Sequence, residues 1–408
     1  MDFEYTEEQK MVRRNIREFM DKEVEPHIKE SDKQPFTHDE LVEWRRKLAP
    51  IGFGAMDFTA MAGQQGIDPI TNAIISEEVF GCWVGVAAAI GLAGAASMVV
   101  FGSDKMRARL GDRLKAGELV GCGGLTEPNA GSDNRAMTTR AVLNGDHYVI
   151  NGTKTWVSNA QISDMVMLLC KDENDQLTQI LIDREESPYE TGSLHKLGWR
   201  ACPIGELYFD NCRVPKENNL MNIFTELMSS GNVEQEMVKR GLPPDTMTRM
   251  GHMFARGPLG LLAYARTGIG QAGVGISSRA TEAAIKYAKE RVQFGRPIAS
   301  RQLIQNMITE MVFITESCRL LVYRTVIALD QAVPDFRMLS SLVKAYVAEA
   351  TVNVTSMALQ IHGANGLSED LPLERYFRDA RTFTIPDGTT EINKLVAGKE
   401  LLGVSAYV

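Results

Sequence analysis

The spacing of apolar positions changes twice along the chain. Through the first ~120 residues it is helical. Thr6 and Gln9 fit a capping box, and Val12, Ile16, Phe19 and Met20 then recur at helical spacing. "THDELVEWRRKLAPIGF" predicts a second helix, and the Ala/Gly-rich 85–101 stretch a third, tightly packed one. Near Val120 the pattern turns into short β-like runs: "DHYVINGTKTWVSNA", "DMVMLLC", "QLTQILIDRE" and "GELYFDNCRVP". Asn144-Gly145 and Asn151-Gly152 are turn signals that separate them. Helical spacing then returns. "SRATEAAIKYAKERVQFG" predicts a helix stopping at Gly295, and "RQLIQNMITEMVFITESCRLLVYRTVIALDQA" places Leu303, Ile304, Met307, Ile308, Met311 and Val312 on one stripe. "LSSLVKAYVAEATVNVTSMALQIHG" and "TEINKLVAGKELLG" bring the long helices to four, enough for a bundle.

This order predicts an α+β chain in four pieces. They are an N-terminal α-helical domain over 1–119, a middle β domain over 120–221, a connection over 222–260 and a C-terminal helical bundle over 261–408. The connection is polar and Met-rich, carries Pro243-Pro244, and reads as a mobile surface insertion with a short helix or two. Composition sharpens the picture only at its edges. The 408 residues are 44% hydrophobic and 24% charged, which supplies a large core. A net charge of −8 offers no basic footprint for nucleic acid. The acidic start "MDFEYTEEQK" lacks the features of a signal or transit peptide. The most apolar run, 82–102, has the small residues and flanking charges of a buried helix rather than a membrane span. The expectation is a soluble, cytoplasmic protein. Six cysteines (82, 122, 170, 202, 212, 318) are scattered without a C-x-x-C pair, and the six histidines show no H-E-x-x-H, so no disulfide framework or metal site is expected.

One motif misleads. Gly268, Gly270 and Gly273 match G-x-G-x-x-G, but a dinucleotide fold needs a strand before the motif and a βαβ unit around it. Here the flanks are helical, so the glycines are read as sites of close helix packing. Four other stretches carry chemistry together: "LTEPNAGSD" (125–133) followed by "INGTKTWVSNA" (150–160), "ERVQFGRPI" (290–298), "QIHGANG" (360–366) and "PDGTTEIN" (386–393). Their order and spacing resemble the acyl-CoA dehydrogenase family of flavoproteins over nearly the whole chain.

The resemblance implies an N-terminal α domain, a β-barrel-like middle domain, a C-terminal four-helix bundle and a homotetramer. It implies non-covalent FAD between the β domain and the bundle. Leu125, Thr126 and Ser132 would face its ring and pyrophosphate, with Trp156 and Ser158 flanking the ring. Arg291, Phe294 and Gln302 would reach the FAD of a neighbouring subunit, and Gln360, Gly363 and Gly366 would line its adenosine side. Thr389 and Glu391 would meet the flavin from the base-bearing loop, while Ser132, Arg266 and Gly388 would touch the substrate. A pyrophosphate calls for N–H donors, hydroxyls and an arginine fork, and an isoalloxazine for an apolar face. His362 is read as structural or cofactor-contacting rather than catalytic.

In "PDGTTEIN", Pro386-Asp387-Gly388 is in the first place a turn. In the resembling family a carboxylate here removes the α-proton of an acyl-CoA thioester. Most relatives carry glutamate; this chain has aspartate. The alternative base position, just before Arg266, holds Ala265, and the adjacent Tyr264 is a poor base at neutral pH. Asp387 is therefore taken as the base. One methylene less shortens its reach by roughly 1.5 Å, which points to a cyclic or α-branched substrate, and an aspartate at this place resembles the alicyclic acyl-CoA dehydrogenases that act on cyclohexanecarboxyl-CoA. The 84–97 stretch, expected to line the pocket, carries neither an arginine for a distal carboxylate nor a second carboxylate. The expected reaction is α,β-dehydrogenation, with electrons passed to an electron-transfer flavoprotein. Two other readings stand beside it: a flavin oxidase on the same fold, similar to nitroalkane oxidase, and a non-catalytic FAD-binding subunit.

Overall fold

The computed structural model describes residues 4–54, 67–247 and 259–406. Part of the 222–260 connection therefore lies outside the described residues. Helix α1 (Glu7–Glu23) starts at a complete Thr6/Gln9 capping box, followed by α2 (Glu25–Ser31). Helix α3 (His38–Leu48) starts at a second box, Thr37/Glu40. Helix α4 (Pro69–Cys82), capped by Asp68, has no counterpart in the sequence reading. It is buried almost all round, so it shows no apolar stripe. Even its Glu77 and Glu78 are inside, where Glu77 meets Arg13 at 3.0 Å and Arg319 at 3.2 Å.

Helix α5 (Val84–Ala93) is shorter than the predicted third helix and continues as 3-10 turns over Gly94–Phe101. Val84–Phe101 is apolar and long enough to cross a membrane, yet 72% of it is buried inside the fold. Helix α6 (Asp104–Lys115) ends the first domain.

The middle domain is one curled seven-stranded sheet. Strands β1 (Gly121–Gly124), β2 (Arg140–Asn144), β3 (His147–Ser158), β4 (Met165–Lys171), β5 (Leu177–Asp183), β6 (Glu190–Ser193) and β7 (Ile204–Pro215) run in the order β1-β4-β2-β3-β7-β6, with β5 on β4. β3 and β7 form its long antiparallel spine, with register shifts at Ile150/Gly152 and Lys154/Val157. β1 pairs with β4 in parallel, but no βαβ repeat follows.

Two helices, α7 (Leu220–Ser229) and α8 (Val233–Lys239), open the connection. The mobile insertion expected from sequence is not what their packing shows. Leu220, Ile223, Phe224, Leu227 and Met237 share a core with Met98, Val99 and Phe101 of the 3-10 segment. Arg240 fastens the segment by donating to the Val100 carbonyl at 3.1 Å.

The bundle consists of α9 (Leu262–Glu290), α10 (Gln302–Asp330), α11 (Phe336–His362), α12 (Leu373–Phe383) and α13 (Thr390–Leu402). Helix α9 stops at Glu290 rather than Gly295, because 292–297 turns into a hairpin of β8 (Val292–Gln293) and β9 (Arg296–Pro297). Phe294 and Gly295 both take positive φ, 53° and 75°, at its tip. The G-x-G-x-x-G glycines lie inside α9. A methyl on Gly273 would sit 2.6 Å from the Thr351 hydroxyl of α11, and one on Gly270 would strike Val343. Another glycine pair joins the first domain to the bundle. A methyl on Gly81 of α4 would lie 2.7 Å from the carbonyl oxygen of Gly275 in α9. At the Gly81–Gly275 crossing backbone lies against backbone.

Candidate active site

The loop between α12 and α13 holds Asp387. Asp387 and Gly388 both adopt left-handed φ, 55° and 86°. Glycine does this freely, and aspartate tolerates it better than most residues. Thr389 then caps α13, its hydroxyl accepting from the Ile392 N–H at 3.3 Å.

Four of the loop's carbonyls, those of Thr384, Asp387, Gly388 and Thr389, are tied back. That of Thr384 accepts from the Lys344 ammonium at 3.0 Å and from the Thr390 N–H at 3.1 Å. That of Asp387 accepts from Arg266 Nε at 3.1 Å, and that of Gly388 from Lys344 Nζ at 2.5 Å. The Asn393 amide lies beneath the turn, 3.3, 2.8 and 3.1 Å from the carbonyls of Asp387, Gly388 and Thr389. Among the described residues the N–H groups of Asp387 and Gly388 have no acceptor.

Asp387 is half-buried. Burial pushes its carboxyl above the ordinary range, and the Arg266 and Lys344 cations pull it partly back. Lys344 is fully buried on α11. Burial lowers its ammonium to about 8, against the support of the Asp387 carboxylate. Arg266 is not placed as an open substrate contact. Its side chain is buried behind the loop, where a guanidinium must find acceptors, and Ser341 Oγ supplies one at 3.1 Å. Glu391 is exposed on the first turn of α13.

The β domain contributes a second group. Leu125 and Thr126 follow β1, with their carbonyls engaged by Lys154 Nζ (3.1 Å) and the Thr155 N–H (2.9 Å). Lys154 is fully buried and pairs with Glu127 at 2.8 Å. Glu127 also accepts from the N–H groups of Thr138 (2.6 Å) and Thr139 (2.9 Å), and these bonds hold its carboxyl down at about 2 despite burial. Ser132 stands exposed on the loop. Trp156 sits where the β3–β7 register slips, with φ 57° and its ring 56% exposed. A bulge of this kind re-aims a side chain out of the ladder. Ser158 ends β3, and the next residue, Asn159, ties the strand to α5 through the Ala89 carbonyl at 2.9 Å.

A third group lines a cavity of about 550 Å³ at the hairpin end of the bundle, where Arg291, Phe294, Gln360 and Gly363 come together with Tyr287 and Arg301. Phe294 is 94% exposed. Gln302, at the start of α10, and Gly366, packed against Leu359, flank the group without lining it. His362 stacks on Tyr287 at 4.2 Å and donates from Nδ1 to the Ala358 carbonyl, 2.8 Å away. None of the β-domain residues lines this cavity.

Sequence reasoning missed Lys344, Asn393, Glu127 and Lys154. One signal existed for Lys344: it lies four residues from both Ser340 and Ala348, a charge on the buried stripe of a helix.

The molecule has clear relatives. Family models for acyl-CoA dehydrogenase match in three parts: the N-terminal domain over residues 6–118, the middle domain over 122–212 and the C-terminal domain over 258–402. A glutaryl-CoA dehydrogenase of Desulfococcus multivorans is 31% identical, with 99% of each chain covered. A solved glutaryl-coenzyme A dehydrogenase in complex with glutaryl-CoA superposes with a TM-score of 0.82 at 30% identity, covering 99% of this chain and 97% of that one. An acyl-CoA dehydrogenase from Bacillus anthracis complexed with FAD gives 0.79 at 26% identity, covering 98% and 68%. With all three domain models matched in order, the chain belongs to the acyl-CoA dehydrogenase family.

Proposed function

We propose that the protein is an FAD-dependent dehydrogenase that oxidises a cyclic or α-branched saturated acyl-CoA to its 2-enoyl-CoA, with Asp387 as the base. One observation carries the reading. A half-buried carboxyl with raised proton affinity sits on a loop whose carbonyls are pulled inward and whose N–H groups at Asp387 and Gly388 are left for a ligand. That pattern suits removal of an α-proton beside a polarised thioester carbonyl, where oriented N–H donors stabilise the developing enolate.

The residues fit FAD. Trp156 and Phe294 present largely uncovered rings, Thr126, Ser132 and Ser158 offer hydroxyls, and Arg291 and Arg301 share a cavity. FAD bound against Trp156, with the Arg291 and Phe294 group supplied by a neighbouring subunit, would accept the hydride. Trp156 would cover an apolar ring face, and the arginines would meet phosphate oxygens. Asp387 takes the proton, and the buried Arg266 keeps its carbonyl turned away from the substrate.

The acyl group is inferred from the short base and from α5, which carries no charged side chain. The glutaryl-CoA relatives act on a substrate with a distal carboxylate; this chain has no cation in 84–97 to pair with one. Electrons would pass to an electron-transfer flavoprotein, as the family resemblance implies. Assembly as a homotetramer is supported by the outer face of α10, where Phe313, Leu320 and Ile327 recur every seven residues and remain exposed with Leu303. The exposed Phe294 supports it too.

The test is anaerobic bleaching of the bound flavin by cyclohexanecarboxyl-, 2-methylbutyryl-, isobutyryl-, butyryl-, octanoyl- and glutaryl-CoA. Fast bleaching by the cyclic or branched members supports the reading. Bleaching by a straight-chain thioester alone would overturn the substrate assignment, and peroxide formed at the turnover rate would overturn the electron-transfer step.

A further inference from the structure

Resting on that reading, we propose that Lys344 is a positioning residue for the base: its buried ammonium holds the Asp387–Gly388 turn in place and steadies the negative charge of Asp387. Three observations lead there. Lys344 has no exposed surface, although it carries the most strongly hydrated of side-chain cations. Its hydrogen bonds run to the carbonyls of Thr384 and Gly388, which bracket Asp387. And the turn it grips has two successive left-handed residues, one of them not glycine. A conformation of that sort persists only where its surroundings over-determine it.

Charge gives the arrangement a second effect. The groups facing Lys344 are Asp387 from the loop, Arg266 from α9, Glu391 from α13 and Glu349 from its own helix. Glu349 is shared with Lys394 at 3.1 Å. Asp387 is thus flanked by two cations, and its proton affinity is the balance of burial against them. Arg266 stays charged at every working pH. Lys344, lowered to about 8, does not, so it is the adjustable member of the pair. Removing its charge raises the proton affinity of Asp387, and the carboxylate then forms only at higher pH. A cation on a peptide carbonyl also makes the N–H of the same peptide a stronger donor. Lys344 acts in this way on the Gly388–Thr389 peptide, and Arg266 on the Asp387–Gly388 peptide.

The experiment compares the FAD-loaded wild type with K344M and K344R, following flavin reduction by the best thioester from pH 5.5 to 9.5. K344M should reduce its flavin ~10–100-fold more slowly, the range expected for a misplaced catalytic group. Its acid limb should move to higher pH, while K344R leaves the limb in place. A uniform loss of rate with the limb unmoved would mean that Lys344 only fills space, and would overturn the proposal. A second measurement needs neither variant nor turnover: ¹³C-carboxyl-labelled aspartate in wild type, with the Asp387 signal assigned by its loss in D387N. Neutralisation of Lys344 should produce a second inflection of that signal near pH 8. A featureless trace there overturns the proposal even if K344M does not fold. A wild type that no thioester bleaches would instead overturn the proposed function, and the carboxyl titration would still judge Lys344.

Discussion

Two loops that carry proposed site residues are held from behind by different devices. The 384–389 loop of the bundle is held by its carbonyls, through Lys344, Arg266 and the Asn393 amide. The 125–139 region of the sheet is held by a buried ion pair: the Glu127 carboxylate accepts from the Thr138 and Thr139 N–H groups, and Lys154 pairs with Glu127 and donates to the Leu125 carbonyl. The first device engages the carbonyls of Asp387 and Gly388 and leaves the N–H groups of the same residues for a ligand. A loop meant to offer donors must have its acceptors satisfied from behind, and burying cations there does so.

The contrast can be broken from either side. Asp387→Asn keeps the turn and removes the base, so flavin reduction by thioester should fall by about 10²–10⁴-fold. The oxidised flavin spectrum should stay unchanged, and unaltered turnover would remove Asp387 from the mechanism. Glu127→Gln should cost about 3–5 kcal/mol in denaturant unfolding, because Lys154 is left buried without its counter-charge. A change under about 1 kcal/mol would show that the sheet loop is held by packing instead. The same pair predicts acid behaviour. Glu127 is held at about 2, below its unfolded value, so its stabilisation is complete above the ordinary carboxylate range and drains away as pH falls toward 2. Glu127→Gln should flatten that part of the stability curve. Asn393→Ala is the mildest change. It removes a neutral donor from beneath the turn and should cost about 1–2 kcal/mol. It should slow flavin reduction without moving its acid limb, which separates the loop's geometry from its electrostatics.

Much of this architecture was legible in the order of residues. Strands β3, β4, β5 and β7 announced themselves by β-branched runs, although Asn151-Gly152, read as a turn, is a register shift inside β3, and α1 and α3 announced themselves by their capping boxes. Helix α4 was not legible, because burial on all sides erases the periodicity that marks a helix. The packed role of α7 and α8 was hidden by the polar and Met-rich residues around them, since their apolar side chains acquire meaning only against Phe101 and Met98. The residues near the chemistry divide in the same way. Asp387 could be named because its neighbours form a motif. Lys344 and Asn393 act on backbone carbonyls 40 to 44 and about five residues away, and a carbonyl leaves no mark in a sequence.

The contact of Gly81 with Gly275 has a mechanical consequence. Where Gly81 meets Gly275 no side chain stands between α4 and α9 to slide or change rotamer, and this point braces the N-terminal helices against the bundle. A hinge between them would have to separate two backbones already in contact. Give in the site falls instead to the loops mounted on these helices, and the cations behind Asp387 set how far its own loop can yield.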